Sequence, residues 1–409
     1  MTDSKLIFPF TDHSTDIVPR NVSHFTKFGF VENNKDVIDL GLGNCGCFTL
    51  GFDREDFIDS VSEKLKTNPT STGEFLLTNE HVLEFAQKLY DISGGYRSVF
   101  ALSGSDSIEA SVKLSHMYHV QKGSPKTHII GFEYAYHGST FMSTSISGCD
   151  YIYDYYGRHD KCHSSPYDLE KLEQLINSLN NDVSCIVIET CSWQMGMYNL
   201  PKEFWQGLRA ICDKYDIILV VDDIAMCGGK TGTFLGFENL VKPDIFTLGK
   251  ALTGGFYPLS ACMVSERVYD YARYQILQHG FTYSFSMPGI LSALHYIKCL
   301  EEENVYDNYP KILENSLDIF DYLKNNNVIS DYRHHGLMFH LDLNKERPFN
   351  DDFETVCTKH GISIGIWNDM KEGVLICIPL NADEQYFTDL KNRLENAILE
   401  YYSLVTVSN

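Results

Sequence analysis

The stretch Ile217–Leu252, IILVVDDIAMCGGKTGTFLGFENLVKPDIFTLGKAL, constrains this 409-residue chain more than any other. Ile217–Val221 is a short apolar run rich in β-branched residues. Such a run predicts a strand buried on both faces, as in a parallel sheet with helices packed above and below. It ends in two acids, Asp222 and Asp223. Acids are out of place at the end of a buried strand unless something beyond it needs them. Asp244–Leu248 predicts a second strand, followed at once by Gly249-Lys250 and the pair Gly254-Gly255. Open α/β sheets bind ligands in the crevice outside the carboxyl ends of their strands. An acid and a lysine at two such ends therefore face one crevice.

That pair suits pyridoxal phosphate (PLP). A lysine amine condenses with the aldehyde, and a carboxylate keeps the pyridine nitrogen protonated so that the ring can draw electrons. The wording around the pair is Asp222-Asp223-Ile224-Ala225-Met226-Cys227-Gly228-Gly229-Lys230-Thr231-Gly232 and Thr247-Leu248-Gly249-Lys250-Ala251-Leu252-Thr253-Gly254-Gly255. It resembles the D-E/D-I/V-x-x-G-x-G-R-T-G and T-L-G/S-K-A-L/I-x-G-G blocks of the PLP-dependent aminotransferases of fold type I, class III, in order and spacing. The resemblance implies an α/β fold, with a central, mostly parallel sheet in a large helix-flanked domain and a smaller α+β domain. It also implies that Asp222 pairs with the pyridine nitrogen and that Lys250 is the Schiff-base lysine. Either residue alone would be an acid-capped strand or a surface lysine; the two blocks together carry the likeness.

Composition narrows the partners. A formal net charge of −22 argues against nucleic acid or an anionic membrane surface. No apolar run approaches transmembrane length, and the opening MTDSKLIFPFTDHSTD lacks the basic flank and long apolar region of a signal peptide. The 12 cysteines are scattered rather than spaced as a disulfide framework, which predicts a reduced, cytoplasmic protein. Cys45-Gly-Cys47 and Cys162-His163 match no common zinc spacing, so no metal is expected.

Taken in order, Val37–Leu40 predicts a strand and Gly41–Gly46 a glycine-rich turn, which by resemblance belongs to the smaller domain near the substrate entrance. Arg54–Lys66 and Asn79–Tyr90 predict amphipathic helices, the second with Val82, Phe85, Ala86 and Leu89 on one face. A strand at Val99–Leu102 runs into Ser103-Gly-Ser-Asp-Ser-Ile-Glu-Ala110 and a helix to about Val120. Free N–H groups at a helix start suit a phosphate, although an ordinary N-capped helix reads the same way. The wording resembles the family's S-G-S-E/D-A-x-E-A-A-x-K, which implies that Gly104 and Ser105 hold the PLP phosphate. After a strand at Thr127–Phe132, Tyr136-His137-Gly138 resembles the family's F/Y-H-G, which implies that the Tyr136 ring stacks on the cofactor. Outside that context Tyr136 would be a core aromatic and His137 a satisfied core histidine. Residues 149–167 predict an irregular, tyrosine-rich loop near the site, whose Arg158 is either a substrate contact or a solvated surface residue.

Asp168–Leu179 predicts a helix, and Cys185–Glu189 a buried strand ending in an acid. The family carries glutamate–proline there, close to the cofactor ring; here Thr190 replaces the proline, and the role passes to Glu189. A helix over Pro201–Tyr215 leads into the central strand, and Leu259–Val264 predicts another strand. Gly280-Phe-Thr282-Tyr-Ser284 resembles the family's h-G-x-T-y/f motif, which implies that Thr282 reaches the phosphate bound by a second subunit of a homodimer. Phe285–Pro288 then departs from the pattern. Beyond it lie predicted helices at Ile290–Glu302 and Pro310–Leu323, and a strand opening at Arg333-His-His-Gly336-Leu-Met-Phe339. A last helix carries Phe387, Leu390, Leu394 and Ile398 on one face, with a capping box of Asn381 and Glu384. The large PLP-binding domain is expected over 51–289, with the small domain built from 1–50 and 290–409.

The resemblance implies two half-reactions that move an amino group from an amine or amino-acid donor to a carbonyl acceptor, with Lys250 as the proton-transfer base. An aminomutase, racemase or decarboxylase on the same scaffold is the alternative, and a non-catalytic binding protein the second. Within the class the wording is most similar to diaminopelargonate synthases, and its D-D-I and T-G-T-F words to diaminobutyrate aminotransferases. The arginines expected to clamp a substrate carboxylate are missing: Ser139 follows the Tyr-His-Gly word, and Gly361–Trp367 contains none.

Overall fold

The computed structural model describes residues 6–11, 14, 19–68, 77–153, 155–343, 351–366 and 373–407. A hairpin ladder of β1 (Val22–Thr26), β2 (Gly29–Glu32) and β3 (Lys35–Asp39) leads into helices α1 (Glu55–Leu65) and α2 (Glu80–Ile92). Seven strands then build the main sheet. In chain order they are β4 (Arg97–Ala101), β5 (His128–Phe132), β6 (Cys162–Ser165), β7 (Val183–Glu189), β8 (Ile218–Asp222), β9 (Ile245–Leu248) and β10 (Ser260–Val264). Their spatial order is β4-β10-β9-β8-β7-β5-β6. Only β10 runs antiparallel to its neighbours; β6, β5, β7, β8 and β9 are parallel.

The apolar runs of the sequence explain this sheet. Every residue of β7 and β8 is buried, and alternate side chains enter two separate cores. Ile186, Ile188, Leu219, Val221, Phe246 and Leu248 face one, packed by Phe85 of α2 and by Trp205 and Leu208 of the helix Lys202–Tyr215. Cys185, Val187, Ile218, Val220 and Ile245 face the other, under Ile108, Val112 and Leu114 of α3 (Gly104–Gln121). A sheet covered on both faces cannot tolerate alternation with polar residues, and these strands have none. Their polar residues therefore appear where the strands end.

Two smaller sheets use the chain's ends. In one, β13 (Ile362–Ser363) pairs in parallel with β3, Ile362 opposite Ile38. The other is β11 (Asp331–His335), β12 (Met338–Asp342), β15 (Gly373–Cys377) and β14 (Gly365–Ile366) in that order.

Four local expectations change. Residues 149–167 are not wholly irregular: they hold a helical turn, Asp150–Tyr153, and edge strand β6, whose four residues are too few for a periodic signal. The helix expected from Pro310 begins at Val305, with Pro310 inside it. Gly41–Gly46 is wound rather than open, with Gly46 N–H donating to Gly41 O and Cys47 N–H to Leu42 O. The last helix, Glu384–Val407, is capped by Asp383, which accepts from Tyr386 N–H at 2.9 Å; Asn381 instead donates to Leu50 O. No helix among the described residues is long and apolar enough to cross a membrane.

Candidate active site

Four chain segments converge at the carboxyl ends of the parallel strands. Glu189 ends β7 and Asp222 ends β8, and the two are register partners, so the carboxyl groups stand side by side. Lys250 follows β9 by two residues, and Tyr136-His137-Gly138 follows β5. A cavity of about 190 Å³ opens there, lined by Tyr136, Glu189, Asp222 and Lys250 among others, with Gly104 and Ser105 at the start of α3.

Each group is held. One oxygen of Asp222 accepts from Ile224 N–H at 3.1 Å and from the Thr247 hydroxyl at 3.3 Å. The other lies 2.9 Å from His137 Nδ1, and both residues are buried. The ring's Nε2 is buried with no hydrogen-bond partner among the described residues. Gly138 has φ +125°, and a Cβ on it would sit 2.3 Å from Ser105 Oγ, so the loop after β5 lies tight on α3. Ser139 N–H then donates to that Oγ at 3.0 Å. Lys250 itself takes a left-handed φ of +46°, a conformation that costs a side-chain-bearing residue energy and recurs at functional positions. Burial opposes its charge, but Cys45, Cys47, Asp222 and Glu189 together draw its pKa above the ordinary lysine value.

Asp223 points elsewhere. It accepts from the Thr190 hydroxyl at 2.6 Å and from Gly236 N–H at 2.9 Å. The threonine that stands in place of the expected proline therefore fastens the end of β7 to the end of β8. Lys230 is fully buried beneath the site and donates to Cys227 O at 2.9 Å.

Burial, with the Asp222 charge beside it, pushes Glu189 from 4.5 up to about 8; burial pushes Asp223 from 3.8 up to about 7. Each is thus protonated in the folded protein over a window in which the unfolded chain has lost the proton. The folded state binds more protons there, so stability falls as pH rises through that window. The melting temperature of the apoprotein is expected to drop between about pH 7 and pH 8, above the range in which its burial-depressed histidines gain stability with pH, and more gently in Glu189→Gln. A wild-type melting curve that rises over that range would contradict this.

The cavity brings together Gly104, Ser105, Tyr136, His137, Gly138, Glu189, Asp222 and Lys250, all singled out in the sequence. Thr282 is not brought in; it lies exposed in a turn. Arg158 neither faces substrate nor waves in solvent, since its guanidinium donates to Ser145 O and Ser147 O. Trp367, at the end of the segment expected to carry a clamp, lies outside the described residues. Ile224, Ala225, Cys191 and Trp193 also line the cavity and were missed. Ile224 sits in the aspartate block two residues after Asp222 and could have been found. Nothing in the sequence marks Cys191 or Trp193.

The family model for aminotransferase class-III matches residues 30–398. The chain is a class-III aminotransferase. Its relatives include an adenosylmethionine-8-amino-7-oxononanoate aminotransferase of Nitratidesulfovibrio vulgaris, 29% identical over 65% of this chain and 55% of that one. The chain therefore spans about half the length of that relative. Gamma aminobutyrate transaminase 3 of Solanum lycopersicum is 25% identical over 89% of this chain and 78% of its own. Among solved structures, a PLP-bound amine transaminase from an uncultivated Pseudomonas species superposes with a TM-score of 0.88 at 20% identity, covering 97% of this chain and 99% of the other. The main sheet and its flanking helices are the fold type I architecture.

The aminotransferase uses PLP, and the donor set suits it. The N–H groups at the start of α3 have no partner within the helix, as a phosphate requires. Glycine at 104 keeps that corner clear, for a Cβ there would press 2.7 Å from Ile224 Cδ1. A buried carboxylate, Asp222, across the cavity from the Lys250 amine supplies the two groups a pyridine aldehyde needs.

Proposed function

We propose that this aminotransferase moves an amino group from an amine or amino-acid donor to a carbonyl acceptor by two half-reactions at the cavity just described. The observation that carries the proposal is the pairing of Lys250 with the His137-backed Asp222 across one cavity. PLP, when bound, supplies the electron sink that lets the donor's α-carbon lose a proton. Lys250 would hold the cofactor and carry that proton. Asp222 would keep the ring nitrogen protonated, Gly104 and Ser105 would hold the phosphate, and Tyr136 and Ile224 would pack on the ring. Glu189, whose Oε2 accepts from Tyr136 N–H at 3.2 Å, would fix that tyrosine's backbone beside the ring. The test is amine-dependent conversion of bound cofactor to its aminated form, measured without any carbonyl acceptor. A racemase or decarboxylase would not accumulate it.

The active unit proposed is a homodimer in which Thr282 of each subunit reaches the phosphate held by the other. Its exposed turn, flanked by the exposed Phe281 and Tyr283, fits such a face. A phosphate near two negative charges also needs more donors than one helix start offers. Mixing Thr282→Ala chains with Lys250→Ala chains gives hybrids with one site that keeps lysine but lacks the borrowed hydroxyl. That site is expected to hold PLP more weakly than wild type; equal retention would show that the threonine is not shared. We propose a large domain over 51–289 and a small domain formed from both ends, a reading supported by the pairing of β3 with β13. A cytoplasmic location fits a chain whose described residues contain no disulfide.

A further inference from the structure

We infer that the donor side of the cavity selects an uncharged, apolar amine: a primary amine whose reacting carbon bears alkyl or aryl groups, with neither a carboxylate nor a second ammonium. The inference deepens the amino-transfer reading above and rests on it. Three lining residues carry a carboxyl or an amine, and each is engaged. Asp222 is engaged by His137, Ile224 N–H and Thr247; Glu189 accepts from Tyr136 N–H; and Lys250 is the cofactor's amine.

The guanidinium groups placed nearby are engaged. Arg333 is bidentate to Asp342 and also donates to Gly196 O, while Arg158 is spent on two backbone carbonyls. Arg333 therefore has no open pair of N–H donors to clamp a carboxylate, and the Nε–Nη2 edge of Arg158 is already taken. A carboxylate brought in without such a partner loses its hydration uncompensated. The same holds for a distal ammonium, because both oxygens of Asp222 are engaged and Glu189, which shares Oε2 with Tyr136 N–H, is held in its neutral form by burial and the Asp222 charge. What remains of the wall is Cys191, Ala225 and two aromatics, Tyr136 and Trp193, whose rings meet edge to face at 6.1 Å and 75°. Behind it packs a cluster of apolar and sulfur-bearing side chains that includes Met197, Met226 and Met338. An aromatic corner backed by thioethers seats a flat or branched apolar group and offers nothing to a charged one.

The test uses the PLP-loaded protein and matched donors: 1-phenylethylamine against phenylalanine, butan-2-amine against alanine, and 1,4-diaminobutane. Formation of the aminated cofactor is read in single turnovers. The apolar amines are expected to react with kcat/KM at least about tenfold above their charged counterparts, the scale on which pocket complementarity discriminates. Faster reaction with the amino acids or the diamine overturns the inference and leaves the amino-transfer reading standing.

A second measurement is independent of turnover: calorimetric titration of the PLP form, which cannot aminate a ketone, with acetophenone and with phenylpyruvate. Acetophenone is expected to bind at least about tenfold tighter, with that margin lost in Trp193→Ala and kept in Trp193→Phe. Equal or tighter binding of phenylpyruvate overturns the inference. A protein that turns over no donor yet prefers acetophenone keeps the inference and loses the amino-transfer reading.

Discussion

Lys250→Ala is expected to lose the visible absorbance of lysine-linked cofactor and with it all measurable amino transfer, while melting cooperatively as wild type does. Two functions go at once, the amine that holds the aldehyde and the base that moves the donor's proton. Loss of the base alone costs on the order of 10²–10⁴-fold in rate. The fold should survive, because the backbone at 250 already pays the strain of φ +46° with a side chain present, and alanine changes that little. The lysine is also not a strut: Lys230, in the aspartate block, is the lysine that donates to the backbone beneath the site. A small exogenous amine such as methylamine should restore part of the proton transfer without restoring the lysine-linked spectrum. A Lys250→Ala protein with wild-type turnover would remove the lysine from the mechanism and leave the family's central motif without a function in this chain.

The sheet was legible because burial on both faces leaves a mark in sequence. Ile217–Val221 and Cys185–Glu189 are unbroken apolar runs with an acid where each ends, and that alone locates a crevice. Asp222 and Lys250 could be read in the same way, by charge out of place. The phosphate corner was legible through its small residues, since Gly104 and Gly138 are positions where a Cβ would strike a neighbour. What escaped has no local signature. Edge strand β6 is four residues long in a tyrosine-rich segment, and the cap at Asp383 competes with an equally suitable asparagine two residues earlier. Cys191 and Trp193 become lining residues only because the chain after β7 turns back over the cavity, tied by a bridge between Ser192 and Tyr198. Tertiary placement of that kind cannot be read from spacing. The Thr190–Asp223 bond is of the same class: a departure from the family wording at Thr190 and an acid 33 residues away that meet in space.

That bond separates the roles of two adjacent acids, and Asp222→Asn is expected to cost on the order of 10²–10³-fold in rate while Asp223→Asn costs little. Asp222 is built to be an anion. Its two oxygens take a backbone N–H, a hydroxyl and the His137 ring, and no other acceptor stands in their place. An asparagine can keep one oxygen among these donors, but its amide nitrogen must then face either His137 Nδ1 or the Ile224 N–H. It also carries no charge to hold a proton on the ring nitrogen. Asp223 sits at the same strand end but accepts only from Thr190 and Gly236, away from the cavity lining. Burial there already raises its pKa to about 7, so near neutrality much of it is uncharged and an amide is a modest change. Its substitution should appear in stability, by about 1–3 kcal/mol for a disturbed buried hydrogen bond, and not in kcat. The measurement is kcat and kcat/KM for both variants beside their melting temperatures. Asp222→Asn should lose rate by orders of magnitude, whereas Asp223→Asn should lose stability with little change in kcat. Small, equal rate losses in both would mean that the ring nitrogen is served by neither acid in the way the register of β7 against β8 requires.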